Sequence, residues 1–269
     1  MIRRILSFCL AALTAATLPA AANPLDDAIA VRILPGWRAD DGRHIAAIEM
    51  TLAQGWKTYW RAPGDAGIPP QFDWRGSENL SGVEVSWPTP LVMLQDGMQA
   101  IGYADRVILP LSVTPARAGN AVQLVGQLDI GVCRDVCLPV TLDVAQLLPV
   151  AATSPDPRIA AALADRPHTG AEAGLGRAVC TATPERDGLR LRAELDLPAT
   201  GGQEVAIVET NNPLIWVAQA ESRRQGGRLT VETELYHAEG RPFALDRSGI
   251  RITVLGSTRA VDIKGCSGG

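Results

Sequence analysis

The sequence predicts an all-β protein, two β-sandwich domains joined by a Pro/Ala-rich connection that carries a short helix. Three observations predict it. The 26 Gly and 19 Pro among 269 residues fall between short β-prone segments, as turn residues do between strands. Several of those segments alternate apolar and charged residues, the period of a half-buried strand. And a single stretch, Pro157 to Asp165 after Ser154-Pro155-Asp156, reads as helix.

Taken in order, the strand candidates are 44–52, 83–87, 107–113, 122–130, 140–144, 204–209 and 250–255. The clearest alternation is Leu189-Arg190-Leu191-Arg192-Ala193-Glu194-Leu195 and Arg228-Leu229-Thr230-Val231-Glu232-Thr233-Glu234-Leu235. Their spacing is that of β-sandwiches. The expected organisation is a signal peptide over 1–22, a first domain over 23–150, a connection over 151–176 and a second domain over 177–269.

The leader reading rests on Arg3-Arg4, the apolar stretch Ile5 to Leu18, and Pro19-Ala20-Ala21-Ala22 before Asn23. A basic start, a short apolar run and small residues suit export and cleavage. Cys9 sits inside the apolar run, away from a lipid-attachment position. The expected compartment is therefore the periplasm. The formal net charge of −4 argues against nucleic acid or an anionic membrane surface as partner. The mature part has no apolar run of membrane-spanning length, so stable membrane insertion is not expected.

Four cysteines remain after the leader, and an oxidising compartment makes disulfides their default state. Joining Cys180 to Cys266 closes a loop over most of the second domain, worth roughly 4–5 kcal/mol on chain-entropy grounds. That pair reads as structural. Joining Cys133 to Cys137 closes a tiny loop worth roughly 2 kcal/mol. As a staple it adds little, and a tight, exposed bond is the more reducible kind. Spacing alone leaves three readings: thiol–disulfide exchange, an inert hairpin staple, or a metal site. Arg134 would favour a thiolate there and Asp135 would oppose it.

The residues around this pair carry a resemblance. Gly55-Trp56-Lys57-Thr58-Tyr59-Trp60-Arg61-Ala62-Pro63-Gly64-Asp65-Ala66-Gly67 comes first, then Trp87-Pro88-Thr89-Pro90. Ile101-Gly102-Tyr103 and Val107-Ile108-Leu109-Pro110 follow, and the cysteine turn closes on Leu138-Pro139. Together they resemble the periplasmic N-terminal region of the membrane reductase DsbD, and more closely the ScsB-like suppressors of copper sensitivity. The resemblance implies immunoglobulin-like β-sandwiches and a redox pair on a hairpin under a mobile cap loop. By position the cap spans Met93 to Gln99, with Leu94, Asp96, Gly97 and Met98 as its candidate residues, and Met98 or Leu94 shielding the sulfurs. It implies Cys137 as the sulfur that engages partners and Cys133 as the resolving one.

The implied partners are a membrane-embedded thiol reductase and thioredoxin-like periplasmic proteins, with no cofactor. Two departures qualify this. The DsbD domain has five residues between its cysteines, against three here. The sequence also ends without the reductase's transmembrane and thioredoxin-like segments, so the membrane partner is expected to be a separate chain.

Other features read more plainly. Trp56, Tyr59 and Trp60 are expected in the core, although they could border a partner surface. Met93 and Met98 with the two cysteines could form a soft Cu(I) site, which gives the alternative function of a copper-tolerance or interaction module. His44, His168 and His237 show no metal-ligand spacing and are expected at the surface, so no resident metal is assigned.

Overall fold

The structure is a computed structural model that describes residues 28–65, 67–95 and 97–269. The expected signal peptide and Cys9 lie outside the described residues, as does Asp96 of the expected cap. Among the described residues, no helix is long and apolar enough to cross a membrane.

Among the described residues ten strands precede the helix: β1 (Ile29–Arg38), β2 (His44–Leu52), β3 (Lys57–Tyr59), β4 (Gln71–Asp73) and β5 (Leu80–Val85), then β6 (Leu91–Gln95), β7 (Met98–Ala104), β8 (Arg106–Pro115), β9 (Val122–Cys133) and β10 (Cys137–Leu148). They form two sheets, β1-β2-β8-β5 and β10-β9-β3-β7-β6, with β4 also on β9. Ile48, Leu109 and Leu111 from the first sheet meet Leu124, Leu128, Ile130 and Trp60 from the second, all in one buried cluster. Strand alternation supplies these inward residues, as a sandwich requires.

Helix α1 (Pro157–Ala164) begins where the Asp156 carboxylate accepts the backbone N–H of Arg158 at 2.9 Å, with Pro157 in the first turn. An aspartate cap followed by proline satisfies and preorganises that turn. Its one buried side chain, Ile159, packs with Leu34 and Ala47. The stretch read as a connection thus lies against the outer face of β1 and β2.

The second half holds β11 (His168–Thr169), β12 (Ala178–Pro184), β13 (Leu189–Asp196), β14 (Val205–Glu209) and β15 (Ile215–Val217), then β16 (Glu221–Gln225), β17 (Arg228–His237), β18 (Arg251–Leu255), β19 (Ala260–Lys264) and β20 (Ser267–Gly268). Its sheets are β11-β19-β18-β14 and β15-β17-β13-β12-β20, with β16 also on β17. On β13 and β17 the register sets Arg190 opposite Glu234 and Arg192 opposite Glu232, and both pairs are ion-paired at the surface. The other face of the same strands, with Leu191, Ala193, Val231 and Leu235, is buried. The charged alternation is therefore a sheet with one dry face and one wet face.

The sheet β11-β19-β18-β14 contributes apolar side chains to both cores. Ala206, Val208, Ile252, Val254, Val261 and Ile263 belong to the second core. Leu255 and Ala260 belong to the first core, with Val205 and Ile207 packed against it. The halves thus share an apolar contact, and the fold class is the all-β, immunoglobulin-like sandwich expected from the sequence. One local expectation fails: His44 is fully buried, not at the surface. Its Nε2 lies 2.5 Å from the Pro35 carbonyl, and burial holds its pKa below the ordinary value.

Candidate functional site: the Cys133–Cys137 hairpin

Strands β9 and β10 pair along their whole length, from Val122 opposite Leu148 to Cys133 opposite Cys137. The three residues Arg134, Asp135 and Val136 turn the chain between the cysteines. The Cys133 and Cys137 Cα atoms are 4.2 Å apart and their sulfurs are bonded. Strand β10 is at the sheet edge, where Pro139 needs no ladder N–H.

Cys133 is fully buried and Cys137 is half-buried. At the tip, Val136 is exposed and Arg134 pairs with Asp135, Nε to Oδ2 at 3.0 Å. Arg134 also lies over the Trp56 ring, 5.2 Å from its centroid. The two charges that could tune the sulfurs are thus paired with each other at the exposed tip.

The group that reaches the sulfurs is Tyr59. Its hydroxyl is 2.8 Å from Cys133 Sγ and 3.0 Å from Cys137 Sγ. Strand β3 puts it there by pairing with β9, Thr58 opposite Val132, and with β7, Tyr59 opposite Gly102. Two glycines admit the ring: a Cβ on Gly131 or on Gly67 would sit 2.8 Å from Tyr59 ring atoms. Thr58 closes the backbone, its hydroxyl donating to the Gly131 carbonyl at 2.9 Å. Of the three aromatics expected in the core, Trp60 and Trp56 pack there, and Tyr59 instead forms a separate cluster with Cys133 and Ala100.

Strands β6 and β7 form the hairpin that occupies the expected cap position, with Gly97 in the turn at φ +80°. A positive φ there suits glycine. The shielding methionine differs from the expected one. Met93 packs against the cysteine cluster with Ile68, whereas Leu94 is 74% exposed and Met98 50%. Met93 sits opposite Ala100, while Leu94 sits opposite Gln99 on the other face. Met98 shares Met93's face but lies two register pairs further out, at the tip.

Elsewhere, Cys180 and Cys266 are disulfide-bonded, Cα atoms 5.7 Å apart, across 86 positions of sequence. The bond joins β12 to the chain just before β20, which pairs with it. Among the described residues no group of three or more His, Cys, Asp or Glu could hold a metal ion.

These features define a sulfur pair at a hairpin tip beside the β6–β7 hairpin, whose Met93 packs against it. Residues 30–149 match the family described as thiol:disulfide interchange protein DsbD, N-terminal. That segment is similar to the family. The matched segment contains every residue of the sulfur site named above. The crystal structure of the N-terminal periplasmic domain of ScsB from Proteus mirabilis is similar over both halves. It matches with a TM-score of 0.68 and 20% identity, covering 92% of this chain and 96% of that one. At that identity the likeness speaks for the fold. No curated protein matches the sequence.

Proposed function

We propose that the protein is a periplasmic thiol–disulfide exchange protein in which Cys133 and Cys137 cycle between disulfide and dithiol. The observation that carries this reading is the Tyr59 hydroxyl within hydrogen-bond reach of both sulfurs, beside one buried and one accessible cysteine. A hydroxyl there donates to a thiolate, which stabilises the leaving or attacking sulfur.

Exchange requires a thiolate to approach a sulfur along its S–S axis, so the accessible sulfur is the one attacked. An incoming dithiol partner attacks Cys137 Sγ, and Cys133 leaves as a thiolate beside Tyr59. The partner's second thiolate then attacks the partner's own bonded sulfur and releases Cys137. The partner ends as a disulfide and this pair gains two electrons. In the onward step the Cys137 thiolate attacks a substrate disulfide and Cys133 resolves the mixed species.

In this reading the electron donor is a membrane-embedded reductase on a separate chain, and the recipients are thioredoxin-like periplasmic proteins. Residues 1–22 serve as signal peptide, 23–150 as the redox domain, 151–176 as the connection and 177–269 as a second domain. The exposed apolar residues Leu94, Met98 and Val136 border the partner's approach, with Gly97 as the hinge of the cap. Cys180–Cys266 stays oxidised as a staple.

Trapping tests it. Cys133→Ser should accumulate a mixed disulfide through Cys137 with a thioredoxin-like partner, and Cys137→Ser should not. A Cys133–Cys137 bond that survives the thioredoxin system, with no trapped species, overturns the reading.

The packing of Met93 against the same cysteines favours a second reading. Once reduced, two thiolates and a thioether suit Cu(I), as in a copper-tolerance module. Titration of the reduced protein with Cu(I) against a competing chelator separates the two, since this version requires tight binding that Met93→Leu weakens.

A further inference from the structure

One side chain beside the sulfur site reaches from the first half of the chain to the second. Arg61, two residues after Tyr59, stacks on Trp60 with its guanidinium 3.7 Å from the ring centroid. From there it crosses to the second half. Its Nε donates to Glu209 Oε1 at 3.0 Å, and its Nη2 donates to Glu209 Oε2 at 2.9 Å and to Thr253 Oγ1 at 3.2 Å. Asp262 lies 3.9 Å from the same Nη2 and is gripped in turn by Arg251 through two bonds of 2.7 Å. The Arg61 side chain is only 12% exposed.

A fork of this kind fixes direction as well as distance. Its net contribution to stability is small once desolvation is counted, so geometry is the more telling consequence. The segment it fixes needs fixing. Strand β3 is three residues long, and beyond it Trp60 N–H donates to the Ile101 carbonyl at 3.0 Å. Tyr59 must keep two sulfurs in reach, and hydrogen bonds of this length weaken sharply over less than about 1 Å.

We propose that Arg61 is a positioning residue: by anchoring the end of β3 to Glu209 and Thr253, it holds the Tyr59 hydroxyl on Cys133 and Cys137. The second half then sets the reactivity of a sulfur pair that it does not touch. This rests on the exchange reading, because a pair that never opens has no reactivity to set.

The test compares Arg61→Met, Glu209→Gln and Tyr59→Phe in the full chain. After selective reduction, the alkylation rate of Cys137 is followed against pH by peptide mass spectrometry. Loss of the Tyr59 donor raises the pH midpoint, so all three variants should alkylate several-fold more slowly at neutral pH. Arg61→Met combined with Tyr59→Phe should be no slower than Tyr59→Phe alone. Glu209→Gln keeps the side-chain shape and carries the test if Arg61→Met does not fold. Unchanged midpoints in the folded Arg61 and Glu209 variants, no shift in Tyr59→Phe, or additive effects overturn the proposal. Failure of the thioredoxin system to reduce the wild-type pair is a separate result and counts against the exchange reading itself.

Discussion

The Tyr59 hydroxyl approaches Cys133 Sγ to 2.8 Å at a point that is closed to solvent on both sides of the contact. A buried thiolate is costly unless a donor meets it. In the proposed exchange, Tyr59 is therefore the group that would let Cys133 leave as an anion. Tyr59→Phe should slow reduction of the pair by thioredoxin about tenfold, the scale of one hydrogen bond to a charged atom at about 1.5 kcal/mol. Stopped-flow reduction against wild type reads this directly. Equal rates would remove Tyr59 from the chemistry.

Gly131 offers an independent route to the same contact. A methyl group there would press on the Tyr59 ring and on Ile68, each 2.8 Å away, closer than Cβ atoms come without movement. Gly131→Ala should displace the ring, slow exchange as Tyr59→Phe does, and cost about 1–3 kcal/mol in urea unfolding through overpacking. A stable variant with wild-type exchange kinetics would show that the ring's place is not fixed by that glycine.

What could be read from the sequence, and what could not, follows from range. Strands such as Arg228–His237 and Leu189–Asp196 announce themselves because one face is charged and the other apolar over many residues. Strand β3 carries no such signal: three residues hold too little period to register, yet they place Tyr59. Its partner strands β7 and β9 lie more than 40 and more than 70 positions away, a relation that local pattern does not contain. The error over Met93 has the same origin. Leu94 and Met98 are attractive by composition, but pairing register decides which residue of a hairpin faces inward, and a shift of one residue reverses the face. Burial of His44 likewise depends on the Pro35 carbonyl that receives its ring. The sulfur pair itself was legible, because spacing and loop size are properties of sequence alone.

The two disulfides should separate in thermodynamic weight. Cys180–Cys266 spans 86 positions, worth roughly 4–5 kcal/mol through the unfolded chain, whereas the Cys133–Cys137 loop is worth about 2 kcal/mol by the same reasoning. Cys180→Ala/Cys266→Ala should lower urea stability by the larger amount, and opening Cys133–Cys137 should leave the fold intact. Because Cys180 is fully buried, a mild reductant with thiol labelling should tag Cys137 well before Cys180. Simultaneous labelling would mean that the long-range bond is not protected by the fold.

Acid should loosen the contact between the halves. Burial alone would raise the Asp262 carboxyl, but hydrogen bonding and charge from Arg251, with the charge of Arg61, outweigh it and hold Asp262 below the ordinary carboxylate value. A carboxyl depressed in the folded state contributes its full stability above its unfolded value of about 4. That contribution is lost as pH falls through the lower folded value. Melting temperature should therefore decline more steeply below pH of about 4 in wild type than in Asp262→Asn. The variant should also be less stable at neutral pH, since Arg251 and Arg61 lose a counter-charge where both are largely shielded from water. Parallel melting curves for the two proteins from neutral to acid pH would show that Asp262 is not the titrating group.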